Sequence, residues 1–414
     1  MMRLFFRSEF FKLWLVLMLF AAPVSAQWSY FFGLEQEFND NPFHFPVNEE
    51  TWISTLEMGI EHQFSQISAG YYGTVSRFDR MSERNFYWHQ LAAWTGSDTT
   101  NWGAYFEQRL NREDFNIFNY KELKLFFSHR FNISDVAGTG SGNIQYNGYD
   151  QFSDLNNVKL NIGVRFNKSF PTKTTFITGA YIDYKNYLNP SSESDFLPDS
   201  LMMMIPNYSV PPVNNIGMGG PASNRGGRGY QPNRGRGYFV QHAYADFENS
   251  SVAQLSSFFR LAQSITKTTG LALHYNNRTL ISGDDRYISG ISDSYSRESE
   301  IFNDPLGYQS HSIGAELTKL LPLDMTLKMS AFSTSKKYSS QGIYADEENY
   351  DTDVLRKDHY HSLFLSLKKT FDFDYWGGGL MSINLYFQWI ENQSNSYWYD
   401  YRNRLGSIQF RFEF

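Results

Sequence analysis

The chain has 414 residues, a formal net charge of −7 and no cysteine. A mildly acidic chain is a poor candidate for general nucleic-acid binding, and the absence of cysteine excludes disulfides and Cys-ligated metals. Aromatic residues make up 18% of the chain, although its mean hydropathy is negative. Beyond the first 26 residues no apolar run is long enough for a membrane-spanning helix, which excludes a helical membrane protein.

The amino-terminal segment has the order of a secretory signal peptide. Three basic residues precede an apolar run over 13–22, and small residues follow, ending at Ala26. The run is shorter than the roughly 20 residues that a membrane-spanning helix needs. We therefore predict a signal peptide over 1–26, cleavage after Ala26, and one domain over 27–414. No cysteine follows the run, so we expect no lipid anchor.

The dominant signal after the leader is alternation of apolar and polar residues with a period of two. It is cleanest over 158–166, where Val, Leu, Ile, Val and Phe occupy every second position. Such runs match the roughly 9–11 residues of a tilted membrane-spanning strand. Polar lumen residues that alternate with apolar ones keep the mean hydropathy of a membrane barrel low, and girdles of aromatic residues at both interfaces raise its aromatic content. The alternative is a soluble β-sandwich array or β-propeller in the periplasm.

The alternating segments predict an all-β fold, a transmembrane antiparallel up-and-down β-barrel of about 16 strands, with 14 or 18 also possible. The predicted strands are 28–39, 51–64, 67–78, 86–96, 101–112, 120–131, 143–149, 155–168, 174–187, 252–264, 269–278, 309–319, 324–335, 359–371, 380–392 and 401–414. The segment 143–149 is the weakest, because it follows the glycine-rich stretch 138–142. Residues 238–247 also alternate and are interpreted as an extension above the membrane. An even strand number places both termini on one side.

The connections between these segments alternate in length. Short ones lie near 168–173, 264–267 and 320–324, and long polar ones lie at 188–251, 279–307 and 338–357. Outer-membrane barrels have short periplasmic turns and long extracellular loops, whereas a soluble sandwich has no reason for this division. A gapless similarity of 149–169 to 244–264 further suggests a repeated hairpin.

The last strand carries apolar residues at alternate positions and ends on phenylalanine: Ile408, Phe410, Phe412 and Phe414. This pattern resembles the carboxy-terminal signature of bacterial outer-membrane proteins. The resemblance implies that these four side chains face outer-membrane lipid, that they carry the signal read by the barrel assembly machinery, and that the strand closes the barrel against the first one. Trp28, Tyr30 and Phe32 suit that partner strand. No motif indicates a particular porin, transporter or enzyme.

Charged residues on the polar faces are expected in the lumen, because they are costly on the lipid face. The candidates are Glu57, Glu61, Glu107, Arg109, Lys159, Arg165, Asp183 and Lys185. They fit either a water-filled pore that filters solutes by charge or a salt-bridged lumen that stiffens the wall.

The segment 224–238 places four arginines, Arg225, Arg228, Arg234 and Arg236, among glycines. It resembles arginine–glycine repeats of nucleic-acid-binding proteins, but we expect no nucleic acid at this location. It could fold into the pore, bind an acidic partner, or remain an unstructured loop.

Other features suggest chemistry only weakly. The acidic loop 346–353 could hold calcium but lacks EF-hand spacing, and a solvated loop is the simpler interpretation. His359 and His361 share a strand face but have no third ligand, so we expect no metal site and no cofactor. Motifs of hydrolases, such as G-x-S-x-G and H-E-x-x-H, are absent from the sequence.

Three functions remain open at this point. The first is a porin-like channel for passive passage of small polar solutes through a charged lumen. The second is a non-conducting barrel that acts as a binding or assembly scaffold through its long loops or a partner protein. The third is an outer-membrane hydrolase, whose catalytic residues would come from distant strands. The sequence leaves the solute, the partner proteins and the oligomeric state undetermined.

Overall fold

The computed structural model describes residues 28–189, 244–289, 303–373 and 378–414. Within these ranges, sixteen antiparallel strands form one closed barrel in chain order. The predicted signal peptide and the arginines of 224–238 lie outside the described residues. The barrel strands are β1 Trp28–Asn39, β2 Thr51–Gln63, β3 Ile67–Phe78, β4 Phe86–Gly96, β5 Thr100–Asn111, β6 Tyr120–Ile133, β7 Val136–Tyr149, β8 Asn157–Ser169, β9 Thr174–Tyr187, β11 Ser251–Ser264, β12 Thr269–Gly283, β14 Tyr308–Leu321, β15 Met325–Tyr338, β18 Lys357–Phe373, β19 Gly379–Ser394 and β20 Tyr401–Glu413.

The apolar side chains of the alternating runs form the outer surface of the wall. Strand register aligns Leu125 with Ile144, Ile144 with Leu160, and Leu160 with Tyr184. All four are exposed. Because successive side chains point to opposite sides of a strand, their neighbours in sequence face the interior. An exposed apolar band around a closed barrel is what a lipid-facing wall requires. Among the described residues, no helix is long and apolar enough to cross a bilayer.

The first and last strands close the barrel, as the carboxy-terminal pattern implied. Phe32 lies opposite Phe412, and Leu34 lies opposite Phe410. The backbone N–H of Phe414 donates to the Tyr30 carbonyl at 2.9 Å, and the Tyr30 N–H donates to the Phe414 carbonyl at 3.0 Å. Closure leaves no unpaired strand edge in the wall.

The glycine-rich stretch 138–142 lies inside β7, so the predicted strand 143–149 began too late. Gly138 and Gly142 face outward, opposite Phe166 and Ile162 of β8. The ring of Phe131 covers Gly138 so closely that a Cβ there would collide with it. An aromatic ring over a glycine shields the strand where the glycine has no side chain, which is how a strand can contain glycines that otherwise weaken it.

The two ends of the barrel differ, as predicted. Turns at one end are short: 64–66, 97–99, 134–135, 170–173, 265–268 and 322–324. Described loops at the other end include 40–50, 79–85, 112–119, 150–156, 339–356 and 395–400. Two small sheets lie among the loops: β10 Tyr244–Asp246 with β13 Tyr287–Ser289, and β16 Ile343–Tyr344 with β17 Tyr350–Asp351. β10 is the described part of the predicted extension 238–247.

Candidate functional site

The eight charged residues predicted for the lumen all share the inward face by strand register, but their surroundings differ. Glu107, Arg109 and Lys185 are buried, the first two at 6% and 3% exposure. Glu57, Glu61, Lys159 and Asp183 are half-buried, and Arg165 is exposed. The eight residues therefore do not form one site.

Glu107 and Arg109 are held by wall residues at the loop end of β5. The Tyr120 hydroxyl donates to Glu107 Oε1 at 2.5 Å, and Gln90 Nε2 donates to Glu107 Oε2 at 3.1 Å. The Arg109 guanidinium lies over the Phe86 ring at 3.7 Å. These contacts fit the interpretation of a stiffened wall for this pair.

Inward-facing cations that the sequence analysis missed lie on later strands. Lys328 of β15 and Lys368 of β18 are exposed, and like Arg165 they point away from the lipid face. Their positions between the apolar residues of alternating runs are the sequence signal that identifies them. Glu35 of β1 also faces inward, beside the strand that carries Glu57 and Glu61.

The loops at the long-loop end pack against one another and the wall, and are here called the loop collar: 40–50, 79–85, 112–119, 150–156, 244–250, 284–289, 303–307, 339–356 and 395–400. One cluster of buried aromatic and aliphatic side chains joins the loops after β1 and β3 to the wall: Phe43, Phe45, Ile53, Phe78, Met81 and Phe86. A second joins the loops around β5 to β12: Phe115, Phe118, Tyr120, Tyr149, Phe152, Leu155, Tyr187, Phe247 and Ile288.

Arg84 holds together three loops of the collar, 40–50, 79–85 and 112–119. Its guanidinium lies 4.2 Å from the Phe43 ring centre and 3.9 Å from that of Phe115. Burial lowers the pKa of Arg84 to about 9. Stacking on rings compensates part of the lost hydration, because an aromatic face attracts a cation.

Arg356, in the loop 339–356, is a second buried arginine of the collar. It donates to both Asp358 oxygens, at 3.0 and 2.5 Å, and to Gln341 Oε1 at 3.1 Å. Its guanidinium also lies 3.3 Å from the Tyr399 ring centre. Burial alone would lower the pKa of Arg356, but the Asp358 carboxylate outweighs it and keeps the pKa above its ordinary value.

Lys185 of β9 binds two buried carboxylates of the loop after β12. Its ammonium contacts Asp285 Oδ1 at 3.2 Å and also the Asp304 carboxylate. Burial and the neighbouring Asp304 raise the pKa of Asp285 to about 7. Burial would also raise the pKa of Asp304, but Lys185 outweighs it and the pKa is lowered. The second oxygen of Asp285 is buried without a partner.

Tyrosines connect the two small sheets of the collar. The rings of Tyr244 and Tyr350 stack at 4.4 Å, and the hydroxyls of Tyr287 and Tyr350 lie 3.1 Å apart. Tyr344 is fully buried, and its backbone N–H donates to Ser396 Oγ at 3.0 Å. Trp398 Nε1 donates to the Glu347 carbonyl at 3.2 Å. The collar therefore continues through the loops 339–356 and 395–400.

The metal hypotheses gain no support from the described residues, among which no group of three or more His, Asp or Glu side chains could hold an ion. In the acidic loop, Asp346 Oδ1 accepts the backbone N–H groups of Glu348 and Asn349 at 3.0 and 2.9 Å. Such bonds are typical of a turn. His359 and His361 lie on the outer face of β18.

Comparison with known proteins gives structural similarity only. No family model and no curated protein matches the chain. A bacterial polysaccharide outer membrane secretin matches with a TM-score of 0.48 and 7% identity, over 93% of this chain and 97% of that one. Pseudomonas aeruginosa OccD3 (OpdP) matches with a TM-score of 0.48 and 7% identity, over 95% and 92%. Pseudomonas aeruginosa OprD matches with a TM-score of 0.43 and 8% identity, over 95% and 97%.

The membrane class follows from the molecule's own features. Charged and polar side chains occupy the inward face of the wall, and apolar side chains occupy its outer face. Only helices and closed barrels satisfy every backbone hydrogen bond within a bilayer. With its short turns at one end and its collar at the other, the chain has the architecture of a sixteen-stranded transmembrane β-barrel of the outer-membrane type.

Proposed function

We propose that the protein is a channel for passive passage of small polar solutes, with a charged lumen and an entrance narrowed by the loop collar. The observation that carries the proposal is the exposure of Arg165, Lys328 and Lys368. A side chain on the inward face of a closed wall is exposed only where the interior beside it is not filled by other side chains, which leaves room for water. A sixteen-stranded barrel is wide enough to leave such a channel.

The charges divide around the interior in a way that would act on solutes. Glu35, Glu57 and Glu61 lie on the adjacent strands β1 and β2, whereas exposed cations lie on β8, β15 and β18. Rings or rows of fixed charge in a narrow aqueous pore select permeating ions by sign. We expect dipolar or charged small solutes to be preferred over neutral apolar ones.

The collar favours a second candidate, a non-conducting scaffold. Its buried arginines and aromatic clusters hold many loops at the barrel entrance. If the collar blocks the entrance, the loops would serve to bind a partner instead.

Conductance of the purified full chain in planar bilayers separates the two candidates. For the channel we expect stable open steps whose current rises with salt concentration. A collar-loosened variant, Asp358→Leu, which leaves Arg356 buried without its carboxylate, serves as a comparison. A silent wild-type protein together with a conducting collar variant would refute the open channel and support the scaffold. Silence of both proteins, with folding verified by the heat-dependent gel shift, would refute a conducting lumen altogether.

A further inference from the structure

The outer wall carries a group of basic side chains near the loop end of four strands, β14, β15, β18 and β20, in the adjacent run of strands from β14 to β20. We call it the outer cationic patch; its members are Lys337, Lys357, Arg402, Arg404, His311, His359 and His361. Register places His361 opposite Glu391, and Glu391 opposite Arg402. These positions have the same parity as the exposed apolar residues Leu363 and Phe387. The patch therefore faces away from the lumen.

The charge of the patch is largely unbalanced. Its acidic neighbour on the wall is Glu391, which accepts bonds from Arg402 at 2.8 and 3.0 Å. Within the described part of the chain, the side chains of Lys337, Lys357 and Arg404 have no carboxylate partner, and all three are exposed. Asp40 lies at the edge of the patch, where its carboxylate accepts the Arg404 backbone N–H at 2.6 Å.

The patch begins where the apolar band ends. Along the outer face of β18, Leu363 is followed toward the loops by His361, His359 and Lys357. Strand residues rise about 3.3 Å each, so the basic stretch covers about 13 Å of the wall. Such charges are costly against hydrocarbon and suit the headgroup layer. Because the short turns mark the periplasmic end, that layer belongs to the outer leaflet.

Among the described residues, the outer wall of β2 to β7 carries no such group. At the loop end of β2, β4 and β7 the outward residues are Trp52, Tyr87 and Tyr146. Two isolated cations lie there: Arg77, and Lys121, which pairs with Asp150 at 3.3 Å. The outer wall is therefore cationic over one arc only. A general attraction to an anionic membrane surface would not require such a one-sided distribution of charge.

We propose that the outer cationic patch binds the phosphate groups of a phosphorylated glycolipid in the outer leaflet. Exposed lysine and arginine side chains at headgroup level provide the donors that phosphate oxygens accept. The apolar residues directly below, among them Ile313 and Leu363, would contact the acyl chains of the same lipid. The site lies on the outside of the wall and is separate from solute passage.

The test measures binding of diphosphoryl lipid A to the full-length barrel in detergent by native mass spectrometry. The patch variant is Lys337→Gln, Lys357→Gln and Arg404→Gln; the matched control is Arg77→Gln with Lys121→Gln on the opposite arc. We expect about tenfold weaker binding for the patch variant and a change within about twofold for the control. Lipid A without phosphates should bind the wild-type protein about as weakly as diphosphoryl lipid A binds the patch variant.

Equal binding of diphosphoryl lipid A by the wild-type protein and the patch variant would overturn the proposal, and so would undiminished binding of the phosphate-free lipid. If wild-type protein bound phosphatidylglycerol as tightly as lipid A, the glycolipid would be the wrong occupant. The heat-dependent gel shift verifies that each variant is folded. Conductance of the patch variant should be unchanged, so failure of this proposal is distinguishable from failure of the channel.

Discussion

At the residue scale, the collar depends on buried charges that each have a specific partner. Arg356 with Asp358, and Lys185 with Asp285 and Asp304, are nearly inaccessible to water. A buried charge that loses its partner is strongly destabilising, whereas removal of both members is often tolerated. The stability of the collar should therefore respond more to single than to paired substitutions.

Substitution of Asp358 by leucine should loosen the loop 339–356, because Arg356 would remain buried without its carboxylate. We expect a loss of about 3–5 kcal/mol in the free energy of local opening, measured by hydrogen exchange of the loop amides. The pair Arg356→Met with Asp358→Leu is the control and should recover most of the protection. A double variant as poorly protected as the single one would contradict this account.

The pH response of the loop after β12 follows from the raised pKa of Asp285. An unfolded aspartate has a pKa of about 3.9, so the docked loop binds more protons than the open loop between about pH 4 and pH 7. Docking is therefore strongest at mildly acidic pH and weakens as the pH rises through about 7. The lowered pKa of Asp304 has the opposite effect: protonation of this carboxylate at still lower pH weakens docking of the loop.

We expect the amides of 284–289 to be better protected at pH 5.5 than at pH 8, after correction for intrinsic exchange. The Asp285→Asn variant should lose most of this difference, since its side chain does not titrate. A pH difference that persists unchanged in that variant would exclude Asp285 as its source.

At the element scale, each strand has two faces with different solvents. Met329 of β15 faces outward beside Leu317 and Leu365, whereas Ser330 faces inward beside Glu316 and Phe364. The same backbone thus meets lipid and water at successive residues, which explains why register is specified so strongly.

Met329→Arg should cost about 2–4 kcal/mol in the free energy of unfolding from lipid, because the guanidinium would lie in hydrocarbon. Ser330→Arg is the matched control and should cost about 1 kcal/mol or less, since it enters the aqueous interior beside Glu316. Denaturant titration in lipid vesicles measures both. Equal costs would mean that the two faces do not differ as the register indicates.

At the scale of the whole molecule, the barrel combines an acidic sector on β1 and β2 with exposed cations on the later strands. Closure brings these strands around one interior, although they are far apart in the chain. The balance of the two signs, rather than any single residue, would set the ion preference of the channel.

Lys328→Glu with Lys368→Glu should shift permeation toward cations. We expect the cation-to-anion permeability ratio to rise roughly twofold or more, measured from reversal potentials across a salt gradient. The control Lys121→Glu changes an outward charge on β6 and should leave the ratio nearly unchanged. An unaltered ratio in the lumen variant, with open steps retained, would show that these lysines do not line the permeation path.

The sequence by itself predicted an antiparallel barrel of about 16 strands, with 14 or 18 left open, and the alternation of short turns with long loops; the closing pair was implied by the carboxy-terminal pattern. These properties are local: alternation with a period of two reports one lipid-facing and one water-facing side, and turn residues lie between the alternating runs. The same rule predicts that the eight candidate charges face the lumen. It failed at Gly138–Gly142, where the protecting ring of Phe131 comes from the neighbouring strand.

Only the tertiary structure decided which inward charges are buried and which meet water, and how the loops pack. Arg84, Arg356 through its contact with Tyr399, and the Lys185 cluster join segments that are far apart in the chain, and no local pattern identifies partners across such distances. The outer cationic patch likewise arises because register aligns residues of four strands. Alternation determines the face of a residue, but only the closed barrel determines its neighbours.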